Sequence, residues 1–542
     1  MIEFDYKLPA MQIGGRRNGS YNNEEMVLPC CLTTKDTRLG EFLHQLHNAI
    51  HDDRKLCFID GRVLMVSKNW IRDHVHEMKG FKHWEYDMVS FLQFILDTQR
   101  ADGQFYELIK QMDDHHWKMV DPDCYELYAD DNLSLVRLEL EADIEYLVVE
   151  GAMQCYRVTG DWNWLIAQLP HLEKGIDYIT SDPKRWDAAH GLVKRPFTID
   201  TWDFTADSAS HGDRRIHPDE PMSIMHGDNS GVYQAMMQLA WIRARNGEPD
   251  KAAAWRARAA QLRENMFRYL WNGRFFIHQL HLNHDGVDDL EPERLSLSNT
   301  YDMNRGVTDL AQSRAIIEEY RRRRETTDAF SEFFSIDPPY PEFCDYKPGE
   351  YVNGGISPFT AGELALAAFR NGYESYGWDI LQRFMGYMAR DHAIYFLYTP
   401  RDSLPLGGGP SAWGAAALLN AVDEGLAGVV DLDCQYREIR FEPRFVVTDY
   451  TELRYITGYE KSAVFVDVRF TRKPEGLRYD LYGPARCVQA HILLPAGEEP
   501  ARVLVGGAEV PFTRVAVADS VYADFGFEGV RHNIIEVYYK IR

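Results

Sequence analysis

Apolar residues through the middle of the chain recur with the spacing of helix faces. Trp84, Met88, Phe91, Leu92, Ile95 and Leu96 fall at i, i+4, i+7 and i+8, a repeat that places side chains on one side of a helix. Leu140, Ile144, Leu147, Val148, Gly151 and Cys155 repeat it, and the turn Thr159-Gly160-Asp161 leads into a partner segment, WNWLIAQLPHLEKGIDYIT. A second pair is predicted from Asn229 to Asn246 and from Asp250 to Trp271, broken at Gly247-Glu248-Pro249. A third runs from Pro358 to Asn371 and from Ser375 to Arg390, broken at Gly372. SAWGAAALLNAVDEGLAGVV, from Ser411, is a further apolar helix. Such short breaks make consecutive helices antiparallel neighbours.

Residues 182–228, 273–306, 326–357 and 392–410 lack that periodicity and are rich in Trp, Asp, His, Gly and Pro. Long segments between short-turned hairpins usually carry function, so the layout implied is short turns at one end and long loops at the other. Beyond about residue 436 the period shortens to two. REIRFEPRF, SAVFVDVRF, LRYDLYG, VQAHILLP, RVLVGG and NIIEVYYKI alternate, with Gly, Pro and Asn between them, which predicts an antiparallel β-sandwich of ~100 residues. Residues 1–40 are irregular and have room for strands. The expected division is therefore 1–40, an irregular N-terminal segment; 41–430, the helical domain; and 431–542, the sandwich.

The 542 residues are 45% hydrophobic and 26% charged, a balance that supports a large globular core rather than a disordered chain. With 59 Lys and Arg against 83 Asp and Glu the net charge is −24, which argues against nucleic-acid or anionic-membrane partners. No apolar run is long enough to span a bilayer. The start, MIEFDYKLPAMQIGGRRNGS, lacks a charged region followed by an apolar one. The eight cysteines are scattered without a CxxC pair, and a reducing, cytoplasmic setting is expected. The 27 Phe, 12 Trp and 30 Tyr supply flat apolar faces of the kind that suit sugar rings.

Three motifs sharpen the picture: WIRDH (70–74), TIDTWDFT (198–205) and EYVNGGISPF (350–359). With the hairpin series and the terminal GGGPSAWGAAALLNAVDEGLAG, they make residues 40–430 resemble the six-hairpin glycosidases. That superfamily of (α/α)-barrel enzymes includes trehalases, processing α-glucosidases, mannosylglycerate hydrolases, bacterial α-L-rhamnosidases and disaccharide phosphorylases. The trailing strands are similar to the C-terminal domain of the rhamnosidase branch. The resemblance implies a mainly α fold, an (α/α)6 toroid followed by a small C-terminal antiparallel β-sandwich. It also implies an exo-acting, inverting glycoside hydrolase of small oligosaccharides or glycosides, with no metal or organic cofactor.

In the resemblance, TIDTWDFT is the segment that bears the general acid, which makes Asp203 the candidate. Trp202 and Phe204 flank it, and an apolar setting raises a carboxyl pKa by desolvation; capping a helix or bonding a loop backbone is the alternative. Trehalase-like relatives keep their base in a phrase like [YF]E[YF], but AIYFLYTPRD has Phe396 or Leu397 at that place. An inverting hydrolase still needs a second carboxylate. Glu350, beside the YVNGG turn, is the first candidate base, then Asp402 and Glu342. Arg72 and Asp73 offer fixed donors and acceptors to sugar hydroxyls, or form a structural ion pair. Asp228 or Asn229 is expected to cap the following helix, with His226 and Asp228 still facing the loop end as substrate contacts. Asn353 can hold a left-handed turn or a sugar hydroxyl. Trp84, Trp202 and Trp413 are either stacking platforms or core.

Other chemistries lack their motifs. There is no HExxH, and the His-rich runs at 74–76, 115–116 and 278–284 lack a coherent carboxylate or cysteine partner, so no metal site is expected. GGGP (407–410) follows no βαβ pattern, and G-x-S-x-G is absent. RRRRE (321–325) is expected to be a solvated helix face. Two rival activities share the barrel: an inverting glycoside phosphorylase, with Arg401 or His392 binding the anion, and a sugar epimerase or unsaturated-uronide hydrolase.

Overall fold

The computed structural model describes residues 31–33, 38–205 and 212–540. Twelve α-helices run through the described part. They are α1 (Arg38–Asp52), α2 (Ile71–Phe81), α3 (Ser90–Asp97), α4 (Ile144–Thr159), α5 (Trp162–Ile179) and α6 (His226–Arg245), followed by α7 (Pro249–Tyr269), α8 (Ser298–Asn304), α9 (Leu310–Thr326), α10 (Pro358–Arg370), α11 (Glu374–Asp391) and α12 (Ala412–Asn420). The even-numbered helices form an inner ring. Each packs on the next, and α12 packs back on α2 to close it. The odd-numbered helices lie outside. Inner-to-outer connections are mostly short and outer-to-inner ones long, so the inner helices all begin at the end where the long loops gather.

Local sequence sets the helix ends. Asp161 accepts from Trp164 N at 2.9 Å to start α5, Asp309 and Gln312 form a capping box at α9, and Ser357 followed by Pro358 opens α10, all favoured N-terminal chemistry. Gly160, at φ +67°, ends α4 in the left-handed conformation that glycine adopts without strain. Inner helices are enclosed on all sides: every residue of α12 is buried, and α10 is buried from Pro358 to Phe369. Where these two cross, a Cβ on Gly362 would stand 2.5 Å from the Ala417 carbonyl carbon. The ring can be this tight only with glycine there.

The strands after the barrel make two sheets. The seven-stranded one runs, in order, Cys31–Thr33, Glu452–Tyr459, Val464–Lys473, Gly476–Tyr482, His532–Tyr539, Pro500–Val505 and Ala508–Glu509. The five-stranded one runs Val429–Asp431, Glu438–Phe441, Cys487–Leu493, Ser520–Glu528 and Thr513–Val517. Pairing is antiparallel except between Glu438–Phe441 and Cys487–Leu493, which are parallel. Phe441 of one sheet meets Tyr479 of the other edge-to-face at 5.5 Å, inside the sandwich. Of residues 1–40, the described part is the strand Cys31–Thr33 and the start of α1; the remainder lies outside the described residues.

Three expectations need correction. Ser298–Asn304, inside a stretch read as loop, is an inner helix. Its sequence SNTYDMN carries no apolar stripe because its buried Asn299 and Asp302 face a polar interior. Helix α3 begins at Ser90, so Trp84 lies in the turn before it, buried against His47 at 4.1 Å. The run RRRRE is solvated except at Arg323, which is buried and held by Glu319 and Asp337. Among the described residues no helix is long and apolar enough to cross a membrane.

Candidate active site

The long loops carry a small core of their own, including Phe197, Ile199, Trp202, Tyr340, Phe343, Val352 and Leu397, packed over Tyr301, Phe359 and Trp413 of the inner helices. That core fixes the loops. Thr198 Oγ1 donates to Phe204 O at 2.6 Å, and Arg195 Nη2 donates to Trp202 O at 2.6 Å. Asp200 receives Ser298 N at 3.1 Å while its own N–H donates to His278 at 2.9 Å. The segment carrying Asp203 is thus tied to α8 and to the short sheet of Arg195–Pro196, Met222–Met225 and Gln279–His281.

At the loop end of the ring a cavity of about 170 Å³ opens between Trp70, Arg72, Asp73, Thr201, Trp202, Asp203, Tyr351, Phe396 and Trp413. Five sequence-expected residues, Arg72, Asp73, Trp202, Asp203 and Trp413, therefore meet in one place. Trp413 stacks on His76 at 4.3 Å and on Phe359 at 4.7 Å, and its Nε1 donates to Tyr301 Oη at 2.9 Å. Trp202 meets Tyr351 edge-on at 5.8 Å and Phe396 at 5.9 Å. The other four lining residues, Trp70, Thr201, Tyr351 and Phe396, carry no sequence signal of their own for the cavity. Trp70, Thr201 and Tyr351 sit within the quoted motifs; of Phe396 and Leu397, the two positions offered by the resemblance for a base, Phe396 lines the cavity and presents a ring there.

Arg72, in the first turn of α2, is held from behind. Its Nε donates to Asp143 at 2.5 Å, one Nη donates to Asp143 at 2.9 Å, and Glu141 also accepts from it. Burial opposes its charge, but the Asp143, Glu107 and Asp203 carboxylates hold the guanidinium well above its ordinary pKa. Asp73 is pushed up to about 6, chiefly by burial. The Arg72 and Lys68 cations pull it down, and the charge of Asp203 pushes it further up. Two carboxyl groups thus sense each other across one cavity.

The remaining expected residues lie elsewhere. Glu350 is exposed, and its carboxylate receives Lys347 N at 2.8 Å within its own turn. It lines a different cavity, with Asp402 and Arg401, and not the one that holds Asp203. His226 is buried, with Asp302 at 2.6 Å on Nδ1 and Ser296 at 2.8 Å on Nε2. Asp228 is fully buried 3.6 Å from Arg195 and lies outside the cavity lining. Neither Asp228 nor Asn229 caps α6, which begins at His226 with Met225 at its cap position. Asn229 instead receives Val193 N at 2.8 Å and donates to Val193 O and Met225 O, pinning a strand to the helix. Asn353 is buried, receives Tyr340 N at 2.8 Å and donates to the carbonyls of Tyr340 and Tyr346. A buried side chain bonded to backbone through both its oxygen and its nitrogen holds a turn, and Asn353 does not line the cavity. No group of three or more metal-ligating side chains is found among the described residues.

The closed ring of six helical hairpins and the cavity at its loop end define the architectural class, the six-hairpin (α/α)6 fold of glycosidases. No family model matches the chain, and no curated protein matches it in sequence. Solved structures do resemble it. The α-L-rhamnosidase of Dictyoglumus thermophilum superposes with a TM-score of 0.58 at 12% identity, covering 95% of this chain and 51% of that one. The GH78 rhamnosidase of Bacillus sp. GL1 gives 0.58 at 14% identity over 86% and 43% of the two chains. The Streptomyces avermitilis α-L-rhamnosidase complexed with L-rhamnose gives 0.56 at 15% identity over 94% and 42%. The chain spans about half the length of these proteins or less. At such identity the likeness establishes the fold.

Proposed function

We propose that this protein is an exo-acting, inverting glycoside hydrolase whose reacting pair is Asp203 and Asp73. The observation that carries the reading is the pair itself: two carboxyl groups facing one aromatic-walled cavity at the loop end of a glycosidase barrel. The cavity is small, about 170 Å³, and a small pocket suits removal of a terminal residue. Trp202 and Trp413 supply apolar walls, and the anchored Arg72 supplies donors for hydroxyls. Inversion needs one protonated carboxyl to assist the leaving group and one ionised carboxylate to activate water on the opposite face of the ring. Asp203 takes the first role, as its motif implies. Asp73 takes the second: with its pKa pushed up to about 6 it is ionised above that pH and able to accept a proton.

A hydrolase is favoured over a phosphorylase by the placement of the anion-binding candidates. Arg401 is exposed and paired with Asp328 at 2.6 Å, and His392 is exposed at the C-terminus of α11; neither lines the cavity. The deciding experiment is product analysis on nitrophenyl glycosides, α-L-rhamnosides first, and on disaccharides, with and without phosphate. Asp203→Asn is expected to keep the fold and lose ~10²–10⁴ in rate on poor leaving groups, and less on activated aryl glycosides. Wild-type rates on every cleaved substrate would remove Asp203 from the mechanism.

A further inference from the structure

The ring is hollow at its other end too. A second cavity of about 190 Å³ lies along the barrel axis and takes side chains from all six inner helices, with Val430 and Asp431 of the sandwich forming part of its wall. Lys79 reaches it from α2 seven residues beyond Arg72, and Asn420 from α12 seven residues beyond Trp413. At ~1.5 Å per residue that places the two cavities about 10 Å apart along the axis. Tyr301 lies between them: its hydroxyl receives Trp413 Nε1 on the catalytic side, and its ring lines the second cavity beneath Lys79, whose Nζ is 5.1 Å from the ring centre.

The lining is polar and balanced. Lys79, Arg157, Arg305 and Arg370 oppose Glu150, Glu363, Glu424 and Asp431, so the site is neutral in a protein of charge −24. Some of these groups are used. Lys79 pairs with Glu363, Asn304 donates to Glu363 at 2.7 Å, and Arg370 donates to Glu424 at 2.8 Å. Four others, Glu150, Gln154, Arg157 and Gln234, have side chains that make no hydrogen bond or ion pair among the described residues. Glu150 and Gln154 are each only 6% exposed, and the Gln154 carboxamide oxygen is buried without a partner. Buried polar groups are costly unless hydrogen-bonded. A carboxylate, two carboxamides and a guanidinium around one axial space offer donors and acceptors in comparable number, with no net charge to attract an ion. That is the complement of a molecule carrying many hydroxyl groups.

We propose that the axial cavity is a second binding site, for one neutral polyhydroxylated molecule of monosaccharide or sugar-alcohol size. The site is separate from the catalytic cavity and does not depend on the hydrolase reading. The test is calorimetric titration of the full chain and of Asp203→Asn with D-glucose, L-rhamnose and myo-inositol. At least one probe is expected to bind both proteins. The axial changes Gln154→Leu and Arg157→Met are expected to weaken that binding at least tenfold without altering the melting profile. Gln234→Leu serves if either of those fails to fold. Binding that is lost in Asp203→Asn but kept in the axial variants would place the ligand at the catalytic end and overturn the proposal. So would the absence of binding by every probe at tens of millimolar. Failure of the hydrolase reading would show separately, as absence of turnover with the axial binding intact.

Discussion

Arg72→Ala tests how the cavity at the loop end is held together. Arg72 is 8% exposed, and it faces Asp143 at 1% and Glu141 at 0%. Removing it leaves two buried carboxylates without their main counter-charge, a change that costs about 3–5 kcal/mol for a buried pair. Arg195, 3.6 Å from Glu141, and Arg137 remain as weaker partners, and the cavity lets water reach the vacated space, so the lower end, about 3 kcal/mol, is expected. The sign of the pH dependence follows from Asp143. Burial works against its charge, but Arg72 and the other guanidinium groups bring its pKa below the usual value. A carboxyl with a depressed folded pKa contributes stability above its unfolded value, ~3.9, and loses it as pH falls through the folded value. The penalty of Arg72→Ala should therefore be full at pH 7 and shrink below pH ~4. Urea unfolding followed by tryptophan fluorescence at both pH values measures this, and Arg72→Met/Asp143→Asn should be less destabilised than the two single changes summed. A loss under ~1 kcal/mol at pH 7, or a penalty unchanged in acid, would refute the view that this ion cluster anchors the site.

Two further outcomes follow from features of the ring and the cavity. Gly362→Ala should cost about 3 kcal/mol, because its Cβ would meet the Ala417 and Leu418 backbone at 2.5–2.7 Å. Gly386→Ala, exposed on outer helix α11 with nothing within 4 Å, should stabilise by about 0.5–1 kcal/mol. Thermal or urea unfolding compares them, and equal effects would contradict the packing described. With Asp73 as base, the acid limb of kcat/KM should rise about tenfold per pH unit up to about 6; a rate that instead falls as pH rises through 6 would assign the donated proton to Asp73 and exchange the two roles.

Helix pairs and strands were legible where burial coincides with apolarity. The segments from Asn229, Asp250, Pro358 and Ser375 and the alternating runs after residue 436 have helices and strands at nearly those places. The motif residues Arg72, Asp73, Trp202, Asp203 and Trp413 share a cavity because each lies at the start of an inner helix or in the loop above one. What escaped was polar burial. Ser298–Asn304 and the first turn of α6 bury Asn299, Asp302, His226 and Asp228 in the ring, and such residues in a sequence look like loop or ligand contacts. Glu350 was placed by its neighbour in the motif, but Tyr351, at φ 45°, turns the chain so that adjacent side chains serve different cavities.

The strand Cys31–Thr33 pairs with Arg454–Ile456, and α2 closes the ring against α12. On the ribosome both unions wait for the far end of the chain: at ~5–20 residues per second, the more than 400 residues that separate Cys31 from Ile456 take on the order of a minute to emerge. For most of that time Arg72 and Asp73 exist without Trp413, and the edge of α2 that α12 will cover stays open. The cavity is complete only when Trp413, its last lining residue in chain order, has emerged, and most of the sandwich is still to be made then. A nascent chain released before that moment carries most of the barrel and lacks the α12 wall that closes both the ring and the cavity.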